Sequence, residues 1–254
     1  YLMSLWRSTG DFRLGYLAFF ILGLGLGNHR LILMISPAAV FFLLLELGRR
    51  IPILFWKPLL LLVLFVFVGS LITLYLPFRA LQGAAIISDD PGSVDGFIRV
   101  ALVSAQSGSV SISLSEMLDQ SVVLWAFTRY DFAIPALGIS ILGAASLARH
   151  DRPFLTFTLV PVLLTAFTIV IYNIHDIYYY FIPIFLMLAI WLGFGIAEME
   201  HLLRAAVGRF VGAGVRAYAC VTTVYAVRAA WLMLPILLVI GNLPLLDRSN
   251  DYEA

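Results

Sequence analysis

The stretch Gly23 to Arg30, GLGLGNHR, decides how the rest of the chain is read. It closes one apolar run and sets Asn28, His29 and Arg30 in a row, and a second apolar run, Leu31 to Leu47, starts at once. A chain that passes directly from one membrane-length run to another must turn at a bilayer face or in a protein-lined cavity, because hydrocarbon offers these polar groups no partner. The turn therefore reads as the floor of a polar site. Its glycines follow a membrane run rather than a strand, so they point to close helix packing and not to a nucleotide-binding loop.

Composition agrees with that reading. Hydrophobic residues make up 62% and charged residues 12% of the 254 positions, against about 45–50% and about 25% in soluble domains. With a mean hydropathy of +0.99, the chain belongs among integral membrane proteins. No basic cluster interleaved with aromatics occurs, which excludes nucleic acid as a partner. One cysteine, Cys220, leaves no intrachain disulfide to form. No paired His or Cys spacing suggests zinc. The start at Tyr1 and the polar tail Asp247 to Ala254 lead to the expectation that this is a piece of a longer chain.

Crossing about 30 Å of hydrocarbon takes roughly 17–25 helical residues. Working outward from the turn, runs that approach or meet this length are Phe12 to Gly27, Leu31 to Leu47, Trp56 to Leu76, Phe132 to Ala148, Pro153 to Tyr172, Tyr179 to Ala197 and about Ala229 to Leu246. The expected fold is all-α, a polytopic membrane helix bundle of about seven transmembrane helices forming one membrane domain over residues 1–254. Placing the N-terminal end in the cytoplasm puts eleven of the sixteen Lys and Arg residues on the inner side and ten of the fifteen acids outside. This is the bias that orients bacterial inner-membrane proteins, so the expected location is the cytoplasmic membrane with the C-terminal end outside.

The long outer segment, residues 78–131, has its own pattern. Asp89 to Gly92 reads as a turn, and Val94, Phe97, Ile98, Ala101, Leu102 and Ala105 recur at the spacing of an amphipathic interfacial helix. Ser113 and Glu116 form a capping-box pattern that opens a second helix carrying Leu114, Leu118, Val122 and Trp125 on one face. On the inner side, residues 198–217 read as an amphipathic surface segment whose Arg204, Arg209 and Arg216 attract anionic lipid.

This topology gathers Asn28, His29 and Arg30, then Arg79, Asp89 and Asp90, and finally Asn173, His175, Asp176 and Tyr178 at the outer face. Cationic and amide donors at headgroup level suit a lipid-linked phosphate, and the carboxylates suit a sugar hydroxyl or a divalent metal, the one cofactor they imply. Plainer roles stand beside these. Arg30 and Arg79 can bind membrane-lipid phosphate, His29 can cap a helix end, Asp89 and Asp90 can shape the turn, and Tyr178 to Tyr180 can belong to an aromatic belt.

The order GLGLGNH (23–29), YLPFRA (75–80), an acid-Pro-Gly turn, HDIYYYFIPIFLMLAIWLGFG (175–195) and NLPLLDRSNDY (242–252) resembles a bacterial family of large membrane proteins with a domain of unknown function. That family is related to transmembrane protein O-mannosyltransferases and is similar to GT-C glycosyltransferases. The resemblance implies a fragment of a GT-C-like fold that transfers a sugar from a polyprenyl-phosphate donor to an acceptor, such as a protein, on the outer membrane face. It also implies an acidic residue upstream of Tyr1 that serves as base or metal partner, and a soluble domain after Ala254. Relatives carry Trp-Gly-Asp-Pro where this chain has Ser88, Asp89, Asp90 and Pro91. The alternatives are a non-catalytic membrane subunit packing in a larger complex, and a carrier of polyprenyl-linked lipid.

Overall fold

The computed structural model describes residues 1–27, 32–50, 56–83, 91–102, 109–110, 113–132, 134–173 and 180–210, with scattered positions between 222 and 240. Helix α1 (Leu2–Thr9) stops at Gly10, whose φ of 74° is left-handed and whose N–H returns to the Trp6 carbonyl. Glycine takes this conformation without the Cβ clash that other residues suffer. Asp11 then opens α2 (Phe12–Leu26) by accepting a bond from the Arg13 N–H at 3.0 Å, an N-cap of the usual carboxylate kind.

After α2 come α3 (Ile32–Arg50), α4 (Trp56–Ser70), a short 3-10 turn at Leu71–Leu74, and α5 (Tyr75–Leu81). The segment after α5, expected to lie outside, contributes α6 (Val94–Leu102), strand β1 (Ser109–Val110) and α7 (Leu114–Phe132). Then follow α8 (Ile134–His150), α9 (Arg152–Ile171), β2 (Tyr172–Asn173) and α10 (Ile182–Phe210).

Side-chain contacts fix the direction of each long helix. Gly15 faces Leu62, Gly23 faces Val66 and Gly69, and Gly27 faces Ile72, so α2 and α4 run parallel. Trp6 touches both Gly15 and Phe42, which sets the end of α3 beside the start of α2. Phe42 meets Phe154 and Phe157 near the start of α9, and α3 is antiparallel to α9. Ser140 bonds the Leu188 carbonyl and Ser146 bonds Glu198, making α8 and α10 parallel. Phe154 packs on Phe194 while Thr158 meets Trp191, so α9 opposes α10. Among the described residues, the six rods α2, α3, α4 with α5, α8, α9 and α10 thus alternate in direction along the chain, with α1, α6 and α7 set aside.

The protein is all-helical apart from one two-residue antiparallel pairing, Ser109 with Asn173 and Val110 with Tyr172, among the described residues. Three described stretches are long and apolar enough to cross a membrane: Lys57–Leu81, Arg152–Ile171 and Ile182–Val207. Leu114–Tyr130 and Ile134–His150 pass that test only as a pair bent by 97°, and the apolar stretches Phe12–Leu26 and Ile35–Glu46 are shorter. The expected crossing at 229–246 lies largely outside the described residues. Two expected boundaries shift. The helix that follows Trp56 continues through YLPFR to Leu81, and α10 runs unbroken to Phe210, joining the expected span and much of the inner amphipathic segment into one rod.

Hydrocarbon gives apolar helices no incentive to bury against each other, so their association rests on close approach and interhelical hydrogen bonds. Both appear here. A Cβ added to Gly143 would lie 1.8 Å from the Trp191 carbonyl oxygen, and one added to Gly195 would lie 1.9 Å from that of Ile139. Gly23 and Gly69 play the same part between α2 and α4, where an added Cβ would lie 2.1 Å from the Val66 oxygen and 2.3 Å from the Phe20 oxygen. Around these crossings sit two apolar clusters, one on Trp6, Phe42 and Leu62 and one on Ile169, Phe181 and Trp191, with Phe154 packed against both.

Gly143→Ala should therefore force α8 and α10 apart and lower stability in detergent by about 1–3 kcal/mol. Gly138→Ala in the same helix meets nothing within 4 Å, and its thermal unfolding midpoint should match or slightly exceed that of the parent.

Candidate functional site

The alternation of helix direction turns the ends of α2, α5 and α9, and the starts of α8 and α10, toward one end of the bundle. From Lys57 to Arg79 the helical rise amounts to about 33 Å, enough to separate them by the full hydrocarbon thickness of about 30 Å. Arg79 is exposed in the last turn of α5, where a cation suits the helix dipole, and its guanidinium donates to Gln82 Oε1 at 3.0 Å. Of the expected site residues, Arg79 is the one whose surroundings are described. Asn28, His29, Arg30, Asp89, Asp90, His175, Asp176 and Tyr178 lie outside the described residues.

Residues that border those segments are placed. Gly27, just before Asn28, packs against Ile72 and Thr73 below the start of α5. Pro91, just after Asp90, is buried, and Ser93 caps α6 by accepting from the Gly96 N–H at 3.0 Å. Asn173 pairs with Ser109, which ties the outer segment to the end of α9. The expected helices of that segment are present as α6 and α7, and Leu114, Leu118, Val122 and Trp125 all project outward from α7. No group of three His, Cys, Asp or Glu side chains is arranged to hold a metal among the described residues.

The opposite end carries an ionic framework that sequence reading missed. Arg7 Nε stands 3.0 Å from Glu46 Oε1, with the glutamate side chain 4% exposed and the arginine 26%. The same guanidinium binds Asp151 between α8 and α9 and lies over the Phe42 ring at 5.9 Å. Its hydrogen bond to Asp151 raises the Arg7 pKa above the ordinary arginine value, so Arg7 stays cationic wherever the protein is folded. Asp151 also caps α9 through the Phe154 N–H. One side chain thereby joins α1, α3 and the α8–α9 corner.

Two further acids on α10 are engaged in the same way. Glu198 accepts from Ser146 Oγ at 2.9 Å and faces Arg149 at 3.7 Å. Arg228 grips both oxygens of Glu200, at 2.8 and 3.1 Å, and Arg204 approaches from the next turn. A cleft of about 460 Å³ lined by Gly193, Ile196, Ala197, Glu200, Arg228 and Trp231 adjoins this pair. Ser146 lies between His150 and Glu198, its Oγ 3.5 Å from His150 Nδ1. The Ser146 hydroxyl is directed at the carboxylate, while His150 Nδ1 lies 2.9 Å from the Ser146 carbonyl. All five acids assigned to the inner side, Asp11, Glu46, Asp151, Glu198 and Glu200, have defined partners. The usable signal was an acid at the end of an apolar run, as at Glu46 and Glu198.

Set against protein-family models, curated proteins and solved structures, the chain matches none of them.

Arg7→Ala leaves Glu46 buried without its nearest cation. The expected loss is about 2–3 kcal/mol, below the cost for a fully buried pair because Arg7 keeps some solvent contact. Arg7→Met combined with Glu46→Gln should recover part of that loss in the same unfolding measurement.

Proposed function

We propose that this chain is the membrane portion of a GT-C-like glycosyltransferase that takes a sugar from a polyprenyl-phosphate donor. What supports this reading is the alternation in direction of six rods among the described residues, which brings Gly27, Arg79 and Asn173 to one end of the bundle. On this reading the six rods and the stretch near Ala229 to Leu246 make seven crossings. The end with Arg7, Arg13, Lys57, Arg149 and Arg152 is cytoplasmic, following the positive-inside rule.

The chemistry follows from charge. As the glycosidic bond to the donor phosphate breaks, negative charge grows on the phosphate oxygens. Arg79, His29 and Arg30 stabilise that charge, and fixed donors placed before the reaction are worth most because they need no reorganisation. Asn28 and Tyr178 help seat the donor headgroup. Asp89, Asp90, His175 and Asp176 orient the acceptor hydroxyl, whose proton passes to a carboxylate base outside this stretch.

An exposed apolar stripe on α7, with Leu114 at 72%, Leu118 at 59%, Val122 at 66% and Trp125 at 56% exposure, favours a second reading as a non-catalytic subunit docked through that helix. Sugar transfer separates the two. In membranes holding the full-length protein and a radiolabelled polyprenyl-phosphate sugar, Arg79→Ala should reduce transfer about 100-fold, and an unchanged rate would overturn the assignment. In a Cys220→Ser background, Lys57→Cys and Arg79→Cys should react with an impermeant maleimide from opposite faces of the membrane.

A further inference from the structure

Outside the site and the ionic framework, a groove of about 340 Å³ runs between α2 and α4, lined by Arg13, Tyr16, Leu17, Phe20, Phe65 and Val68. We propose that it is a binding site for one anionic phospholipid, with the phosphate on Arg13 and an acyl chain along the aromatic wall.

Three observations support this. Arg13 is exposed and, among the described residues, its guanidinium has no ion pair or hydrogen bond, while Arg7, Arg149 and Arg152 on the same end each make one. A cation in the first turn of a helix opposes the helix dipole, so its position brings α2 no local benefit and leaves it available to an external anion. Next, the groove has a built wall. Tyr16 and Phe65 stack with centroids 5.3 Å apart and planes within 10°, and the lining from Arg13 to Phe20 extends about 10 Å along the helix. Its volume lies within the range of sites that hold small ligands, about 300–1,000 Å³.

The third observation is polarity along the axis. Arg13 lies at the end of the groove nearest the ionic framework, and every other lining residue is apolar or aromatic toward the bundle centre. A molecule with an anionic head and a hydrocarbon tail matches that order, whereas a free inorganic anion would leave the apolar wall unused. Gly23 and Gly69 hold α2 and α4 close enough for the two walls to face each other.

The test is native mass spectrometry of the intact chain, released from detergent after mixing with phosphatidylglycerol or phosphatidylcholine of identical acyl chains. The parent should retain one phosphatidylglycerol in preference to phosphatidylcholine. Arg13→Gln should lower that preference about fivefold, the usual effect of one basic residue at a membrane surface, and Arg152→Gln at the same end should not. Val68→Trp, which fills the groove from the lipid side, should reduce retention of both lipids while the thermal midpoint is held. Equal phosphatidylglycerol retention by Arg13→Gln and the parent would overturn the proposal. So would an equal loss in Arg152→Gln, or displacement of the lipid by inorganic phosphate alone.

Discussion

Helices surrounded by hydrocarbon gain nothing by hiding leucines from one another, and this constraint governs the whole structure. What remains is contact between backbones and hydrogen bonding across helices. Gly143 and Gly195 bring α8 and α10 into backbone contact, and the Ser140 hydroxyl bonds the Leu188 carbonyl 3.0 Å away in the facing helix. The Trp191 indole donates to Thr158 at 2.8 Å and links that pair to α9. Bonds of this kind average about 0.6 kcal/mol in a membrane protein, so the close glycine crossings contribute at least as much as the polar contacts.

The same constraint sorts the charges. At the end of the bundle that holds α1, acids and bases are matched across helices, at the ends of α3 and α8 and along the length of α10. Arg7 is shared by Glu46 and Asp151, Arg149 faces Glu198, and Arg228 holds Glu200. At the other end, among the described residues, Arg79 donates to Gln82 three positions further on. One end of the bundle is therefore held by an ionic clamp.

Much of the scaffold was legible in the sequence because it rests on local signals. Apolar run length gave the positions of α4, α8 and α9, and Ser113 with the spacing of Leu114, Leu118, Val122 and Trp125 marked α7. The glycines of GLGLGNHR read correctly as packing residues, and Gly23 shows it. Partner choice was not legible. Nothing near Gly143 in the sequence points to Gly195, and nothing near Glu46 points to Arg7, because each pairing depends on which rods become neighbours. Run length also misplaced the end of α10, where Glu198 and Glu200 suggested a boundary but their partners allow the helix to continue. Of the candidate site, Arg79 is the member whose contacts are now defined, and the others lie outside the described residues.

The reach of Arg7 has a consequence for biosynthesis. Its partner Asp151 lies 144 residues further along the chain, so at about 5–20 residues per second the ribosome needs roughly 7–30 s to deliver it. Throughout that interval the N-terminal helix waits with its strongest anchor missing. The clasp is thus a late event in assembly, closing only after the first four rods have been synthesised.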